Sequence, residues 1–298
     1  MTARLVTLTA LALAAAGVVV SSSSPERQSP RQRQADVIVV DGSRTPVRDL
    51  AVRDFVVRED GVAREVIAVA PAPPPSPIVL LIDNSQAAEP SILDLRRALA
   101  TFADALAAAE PSTRIGLRTF GERPTKVADP TTAAMVQLGI ERIFHRTGSG
   151  ALMLEAIVET TRDLGSDGAG AALVAFVVES GPEFSQDDRM RVAAALRTRG
   201  ATLWTVVLQA RGGALLSSPE NRERASVIGD GTTESGGLNL PVLSSQGIPS
   251  AFERLAALFT SRHRITYGRP DTLVPPDRLE ITARREGLRV LAPKWAGQ

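Results

Sequence analysis

Residues 78–82, Ile-Val-Leu-Leu-Ile, form an unbroken apolar run between Pro77 and the polar triplet Asp83-Asn84-Ser85. A run without alternation carries apolar side chains on both faces, so it predicts a strand buried on both sides of a parallel sheet. The run at 171–178 and the strand at 202–207 predict two more. Residues 114–120 read as a half-buried strand and 124–128 as a short edge strand. Between them the spacing changes from strand to helix. Leu93, Leu95, Leu99, Phe102 and Leu106 recur at helical intervals and predict a helix over 91–109, with further helices near 133–144, 151–164, 185–199 and 249–262. Alternating strands and helices imply right-handed crossovers, so the predicted fold class is α/β: a Rossmann-like, doubly wound, mainly parallel sheet over 78–262.

Short apolar runs flank this unit on both sides. Val37-Ile38-Val39-Val40, Phe55-Val56-Val57 and Val66-Ile67-Ala68-Val69 alternate with the turn signals Asp41-Gly42 and Asp60-Gly61, which marks 35–70 as a small β module. The prolines of 71–77 exclude helix and predict a stiff extended linker. Beyond the last helix, Ile265-Thr266-Tyr267, residues 278–284 and Leu288-Arg289-Val290 return to strand patterning over 263–298. Neither set makes enough sheet to be stable alone, so the two chain ends are expected to join into one flanking β-sandwich-like domain. Residues 210–245, rich in Gly, read as a long loop with one short helical candidate near 219–227.

Composition narrows the function classes. Net charge is +1, from 34 basic and 33 acidic residues, which leaves no electrostatic footprint for nucleic acid. Cysteine is absent, removing thiol chemistry, Cys-ligated zinc and disulfides. Arg4, the sixteen uncharged residues 5–20 and then Ser21-Ser22-Ser23-Ser24-Pro25 follow the order of a secretory signal over 1–24. That apolar stretch is shorter than the roughly 20 residues of a membrane span, so cleavage is expected, with an uncleaved N-terminal anchor as the alternative. Residues 25–34 read as a disordered leader, and the chain is expected to be exported to the periplasm or secreted.

Asp83-Asn84-Ser85-Gln86-Ala87 resembles the first metal-binding loop, Asp-x-Ser-x-Ser, of a von Willebrand factor type A domain. Val37 through Gly42, Asp54 through Val57, Glu59-Asp60-Gly61, the last helix into Ile265-Thr266-Tyr267 and the tail Arg284 through Val290 are similar to the VWFA-related domain proteins, an exported bacterial family first grouped from Acidobacteria. The resemblance implies a site at the carboxyl ends of the strands, where three loops hold a divalent ion through oxygen ligands. Two of the family's positions, Asp83 and Ser85, match here. The other three fall on Ala87, Ala151 and Ser180, with Thr147, Ser149 or Glu179 as neighbours that a shifted loop could offer.

The expectation is therefore a non-enzymatic protein-protein interaction module with a degenerate ion site. Its loop rim would use Asp83, Asn84, Ser85, Ser149 and Ser180 to bind a protein partner, with no catalytic residue, no metal set and no cofactor assigned. Two alternatives stay open: an adhesion domain dependent on weakly held Mg, Ca or Mn, and a hydrolase using Ser180, which lacks the Gly-x-Ser-x-Gly elbow. His145 and His263, in unrelated contexts, read as structural.

Overall fold

The computed structural model describes residues 31–165, 170–210, 218–269, 274 and 276–295. The expected signal segment 1–24 lies outside the described residues. The expected leader does so only in part, because β1 (Arg31–Val40) begins inside it and pairs antiparallel with β11 (Arg262–Arg269) from Arg31↔Arg269 onward. Main-chain ladders need no apolar side chain, which is why Arg-Gln-Arg-Gln can be strand.

The chain continues through β2 (Phe55–Glu59), β3 (Val62–Arg64) and β4 (Val66–Ala72). Asp60 and Gly61 form the two-residue turn between β2 and β3 with φ of 46° and 82°, the left-handed conformation an Asp-Gly pair supplies. Strand β4 carries Pro71, paired with His263, so the expected linker starts two residues later. The proline is tolerated because β4 is the edge of its sheet.

The central sheet runs β10-β9-β8-β5-β6-β7, from β5 (Ile78–Ile82), β6 (Ile115–Thr119), β7 (Thr125–Thr131), β8 (Ala172–Val178), β9 (Thr202–Leu208) and β10 (Asn239–Val242). All neighbours are parallel except β7, which returns antiparallel on β6. Every residue of β5 and β8 is buried, as their unbroken apolar runs require. Ile78, Leu80 and Ile82 enter one core with α1 (Ile92–Ala109), α2 (Ala133–Ile140) and α7 (Ile248–Phe259); Val79 and Leu81 enter another with α3 (Met153–Asp163) and α4 (Arg189–Arg199). Trp204 stands edge-on to Phe259 at 5.0 Å, an arrangement that adds about 0.5–1.5 kcal/mol beyond burial.

Residues 211–217 lie outside the described residues, and from Ser218 onward the Gly-rich excursion is more ordered than its composition predicts. It holds α5 (Pro219–Ser226), a π-turn at Val227–Gly231, α6 (Thr232–Glu234) and β10, which extends the central sheet. Strand β10 escaped the sequence pattern because it is four residues long and contains Pro241, again allowed at a sheet edge.

Both chain ends pair around β1 and β2. One sheet runs β13-β1-β11-β4 and a second β12-β2-β3, with β12 (Leu279–Ala283) and β13 (Arg289–Leu291) from the tail. Along β1, Val37 and Val39 face a core with Phe55, Val57, Ile265 and Ile281, while Ile38 and Val40 join the α1 and α7 side of the α/β core. Trp295 packs in the α3 and α4 core, with the Arg197 guanidinium 6.0 Å from its ring, while its main chain bridges Arg278 beside β12. No helix among the described residues is long and apolar enough to cross a membrane.

Candidate functional site

Three loops meet at the carboxyl end of the central sheet. The first leaves β5 at Asp83, which is fully buried because β5 lies mid-sheet, between β6 and β8. Its carboxylate is already engaged: Oδ1 accepts the Ser85 N–H at 2.9 Å and Oδ2 the Val178 N–H at 3.0 Å. Burial pushes the Asp83 carboxyl above its ordinary range, against the pull of Ser85, the Val178 amide and the charge of Arg224.

Asn84 ties the first loop to two others. Its Oδ1 accepts the Gly121 N–H at 2.8 Å, and its Nδ2 donates to the Phe144 carbonyl at 2.9 Å. Gly121 is required by contact, since a Cβ there would stand 2.5 Å from the Ser85 nitrogen. The second loop, 145–151, meets the first through main chain: Gln86 N–H donates to Ser149 O at 3.3 Å and Arg146 N–H to Asn84 O at 2.7 Å. Ser149 spends its own hydroxyl on Arg146 O at 2.8 Å. Ala151 is buried, and Thr147 is exposed.

The third loop closes β8 in a tight turn, with Gly181 N–H on Val178 O at 3.2 Å. Ser180 is exposed on this turn, and Gly181 lies against the first loop; a Cβ on Gly181 would sit 2.9 Å from Ala87 Cβ and 3.5 Å from Ser85 Oγ. Glu179 turns away, its Oε2 accepting the Ala210 N–H at 2.9 Å. The structure thus brings Asp83, Asn84, Ser85 and Ser149 onto one rim, with Ser180 on its outer surface. His145 lies 3.7 Å from Glu89, while His263 contacts Arg48 O at 3.1 Å in the β region.

Sequence reasoning missed the residues beneath this rim. Glu183 Oε1 accepts the Met153 N–H at 2.8 Å and the Ser185 hydroxyl, whose Oγ accepts the Leu154 N–H at 3.1 Å, so this pair caps α3. Burial lifts the Glu183 carboxyl to about 7, with Asp83 adding to the rise and Ser185, Arg224 and the Met153 amide opposing it. Arg224 reaches in from α5: its Nη2 donates to Glu179 O at 3.1 Å and Gly181 O at 3.0 Å, and its Nη1 lies 3.6 Å from Glu183 Oε2. Ser85 Oγ, Glu183 Oε2 and Arg224 Nη1 are each buried without a hydrogen-bond partner. The available sequence signal was weak: Asn221 and Arg224 are the buried residues of α5 and stand one helical turn apart on a helix without an apolar stripe.

A divalent ion of the kind the first loop resembles needs about six oxygen ligands. Here Ala87 and Ala151 offer no side-chain oxygen, Ser180 is on the surface and both Asp83 oxygens hold main-chain N–H groups. Among the described residues no group of three or more His, Cys, Asp or Glu could hold a metal ion. This donor set does not fit the ion. The rim instead presents aromatic surface: Phe144 is 63% exposed beneath the Arg96 guanidinium, 4.4 Å from its ring, and Phe184 is 54% exposed against Gly150.

The profile of the family described as VWA, von Willebrand factor type A domain, matches residues 78–233. No curated protein matches the sequence. Among solved structures, the chain is similar to the human COPII-coat protein Sec24c (11% identity, 76% of this chain and 44% of that one, TM-score 0.47). It is also similar to a von Willebrand factor type A protein from Catenulispora acidiphila (12% identity, 90% and 73%, TM-score 0.45). A third is proximal thread matrix protein 1 from the mussel byssus (13% identity, 64% and 49%, TM-score 0.49). The chain spans less than half the length of the Sec24c chain.

Proposed function

The chain belongs to the von Willebrand factor type A family, whose domains serve as protein-interaction or adhesion modules, and we propose that it is an exported, non-enzymatic module that binds a protein partner on its loop rim without a divalent ion. The observation that carries this reading is the engagement of both Asp83 carboxylate oxygens by the N–H groups of Ser85 and Val178. Asp83 joins the first loop to β8, and Ala87 and Ala151 offer no side-chain oxygen to complete a coordination shell with it. Exposed Phe144 and Phe184 give the rim the aromatic surface that protein interfaces concentrate at their centres. Export is inferred from the signal-like order of residues 1–25.

Thermal unfolding in millimolar magnesium, calcium or manganese against chelator tests the reading. An ion at 100 times its Kd stabilises by about 2.7 kcal/mol, roughly 5–10 °C for a chain of this size. The expected shift is nil with every ion. A shift that disappears in Asp83→Ala would instead establish a cation-dependent adhesion domain. A partner captured by the wild type is expected to resist chelator and to be lost on Phe184→Glu. Against the hydrolase alternative stands Ser180 itself, exposed on its turn while His145 contacts Glu89 and His263 contacts Arg48; ester-hydrolysing activity lost in Ser180→Ala would revive it.

A further inference from the structure

Taking a guanidinium out of water costs several kcal/mol unless its donors are met, so a buried arginine on a polar helix requires an explanation. Arg224 is 3% exposed. The acceptors around it are all oxygens: the carbonyls of Glu179 and Gly181, both in the turn that closes β8, and the Glu183 carboxylate that caps α3. Gly181 in turn abuts Ser85 and Ala87 of the first loop. A positive charge enclosed by main-chain carbonyls and a carboxylate is the arrangement a hard cation receives in a protein. Here the charge arrives covalently, on a side chain of α5.

We propose that Arg224 is a resident cation that organises the rim in place of a divalent ion, making α5 the element that fixes the third loop against the first. Its role is to position: Nη2 bridges the Glu179 and Gly181 carbonyls of the third loop, and Nη1 lies 3.6 Å from Glu183 Oε2 at the start of α3. The rim is then set by folding alone, independent of ions in solution. Removing the side chain empties an oxygen-lined space containing Glu183 Oε2 and the two carbonyls.

The inference rests on the ion-independent reading above, and one experiment separates their failures. Thermal unfolding of the full chain is measured for wild type, Arg224→Ala, Arg224→Lys and Arg224→Met, in chelator, in millimolar manganese or calcium, and in low guanidinium chloride. Arg224→Ala is expected to melt several degrees below wild type and to recover at least half of that loss with manganese or calcium, while wild type does not move with either; guanidinium chloride, a denaturant, is expected to lower the wild type and to lower Arg224→Ala less. A destabilised Arg224→Ala that no cation restores would reduce Arg224 to packing and overturn the inference, leaving ion independence intact. Stabilisation of the wild type by manganese or calcium would overturn the ion-independent reading itself. If Arg224→Ala does not fold, the comparison falls to Arg224→Lys and Arg224→Met: lysine retaining clearly more stability than methionine supports the cation, and equal loss overturns it.

Discussion

The methyl of Ala87 faces Gly181 so closely that a Cβ added to Gly181 would lie 2.9 Å from it. Neither atom belongs to a flexible side chain, so Gly181→Ala must push the first and third loops apart. Overpacking of this kind costs about 1–3 kcal/mol. Urea unfolding should report that loss with an unchanged slope, and Ala87→Gly in the same chain should recover part of it. A Gly181→Ala variant as stable as wild type would mean that the loops are not in contact.

Asn84 supports the rim from the other side. Asn84→Ala leaves the Gly121 N–H and the Phe144 carbonyl without their partner, at about 1–3 kcal/mol for each group that water does not reach. Because Phe144 is exposed on the rim, the same variant should also weaken partner binding, whereas Phe144→Ala should weaken binding with little loss of stability. Gly121→Ala, which sets a Cβ 2.5 Å from the Ser85 main-chain nitrogen, should be worse than either and fail to give a cooperative transition.

The chain ends offer a separate measurement. Asp36 on β1 accepts from Arg264 through Nε at 2.8 Å and Nη2 at 2.9 Å, and from Arg262 at 3.1 Å, so one carboxylate serves two guanidinium groups of β11. Asp36→Asn keeps the shape and removes the charge that separates them. With Arg264 39% exposed, screening limits the loss to about 1–2 kcal/mol, and added salt should shrink the difference from wild type in chemical denaturation.

What the sequence made legible follows from how each element is stabilised. Strands β5 and β8 are buried on both faces, so their apolar runs could be nothing else, and Asp83 after Ile82 marked the carboxyl end where the rim lies. Strand β10 was missed because four residues with a proline leave no periodicity, and the start of β1 because Arg31–Gln34 joins a ladder through main-chain groups. Arg224 was hidden for a related reason. In Pro-Glu-Asn-Arg-Glu-Arg-Ala-Ser every polar residue reads as solvated, and only the fold reveals that Asn221 and Arg224 turn inward, toward the Glu183 amide and the carbonyls of Glu179 and Gly181.

Glu183 makes the buried cluster measurable by pH. Its carboxyl stands near 7 in the folded chain against about 4.5 when unfolded, because burial outweighs the help of Ser185, Arg224 and the Met153 amide. The folded state therefore holds its proton more tightly than the unfolded state. The resulting stability is fully present below pH 4.5 and is lost as pH rises through 7, after which the curve is flat. The magnitude is about 3 kcal/mol if the whole shift is realised. Asp83, raised by its own burial, slopes the same way. The opposite case, Asp54, held at about 2 chiefly by its bond to Arg285, loses its contribution only below pH 4 and leaves this window untouched. Melting temperature is thus expected to fall between pH 5 and 7 in the wild type and to fall clearly less over the same range in Glu183→Gln, which keeps Asp83; parallel curves for the two chains would show that Glu183 stays ionised, with Arg224 fully balancing its charge.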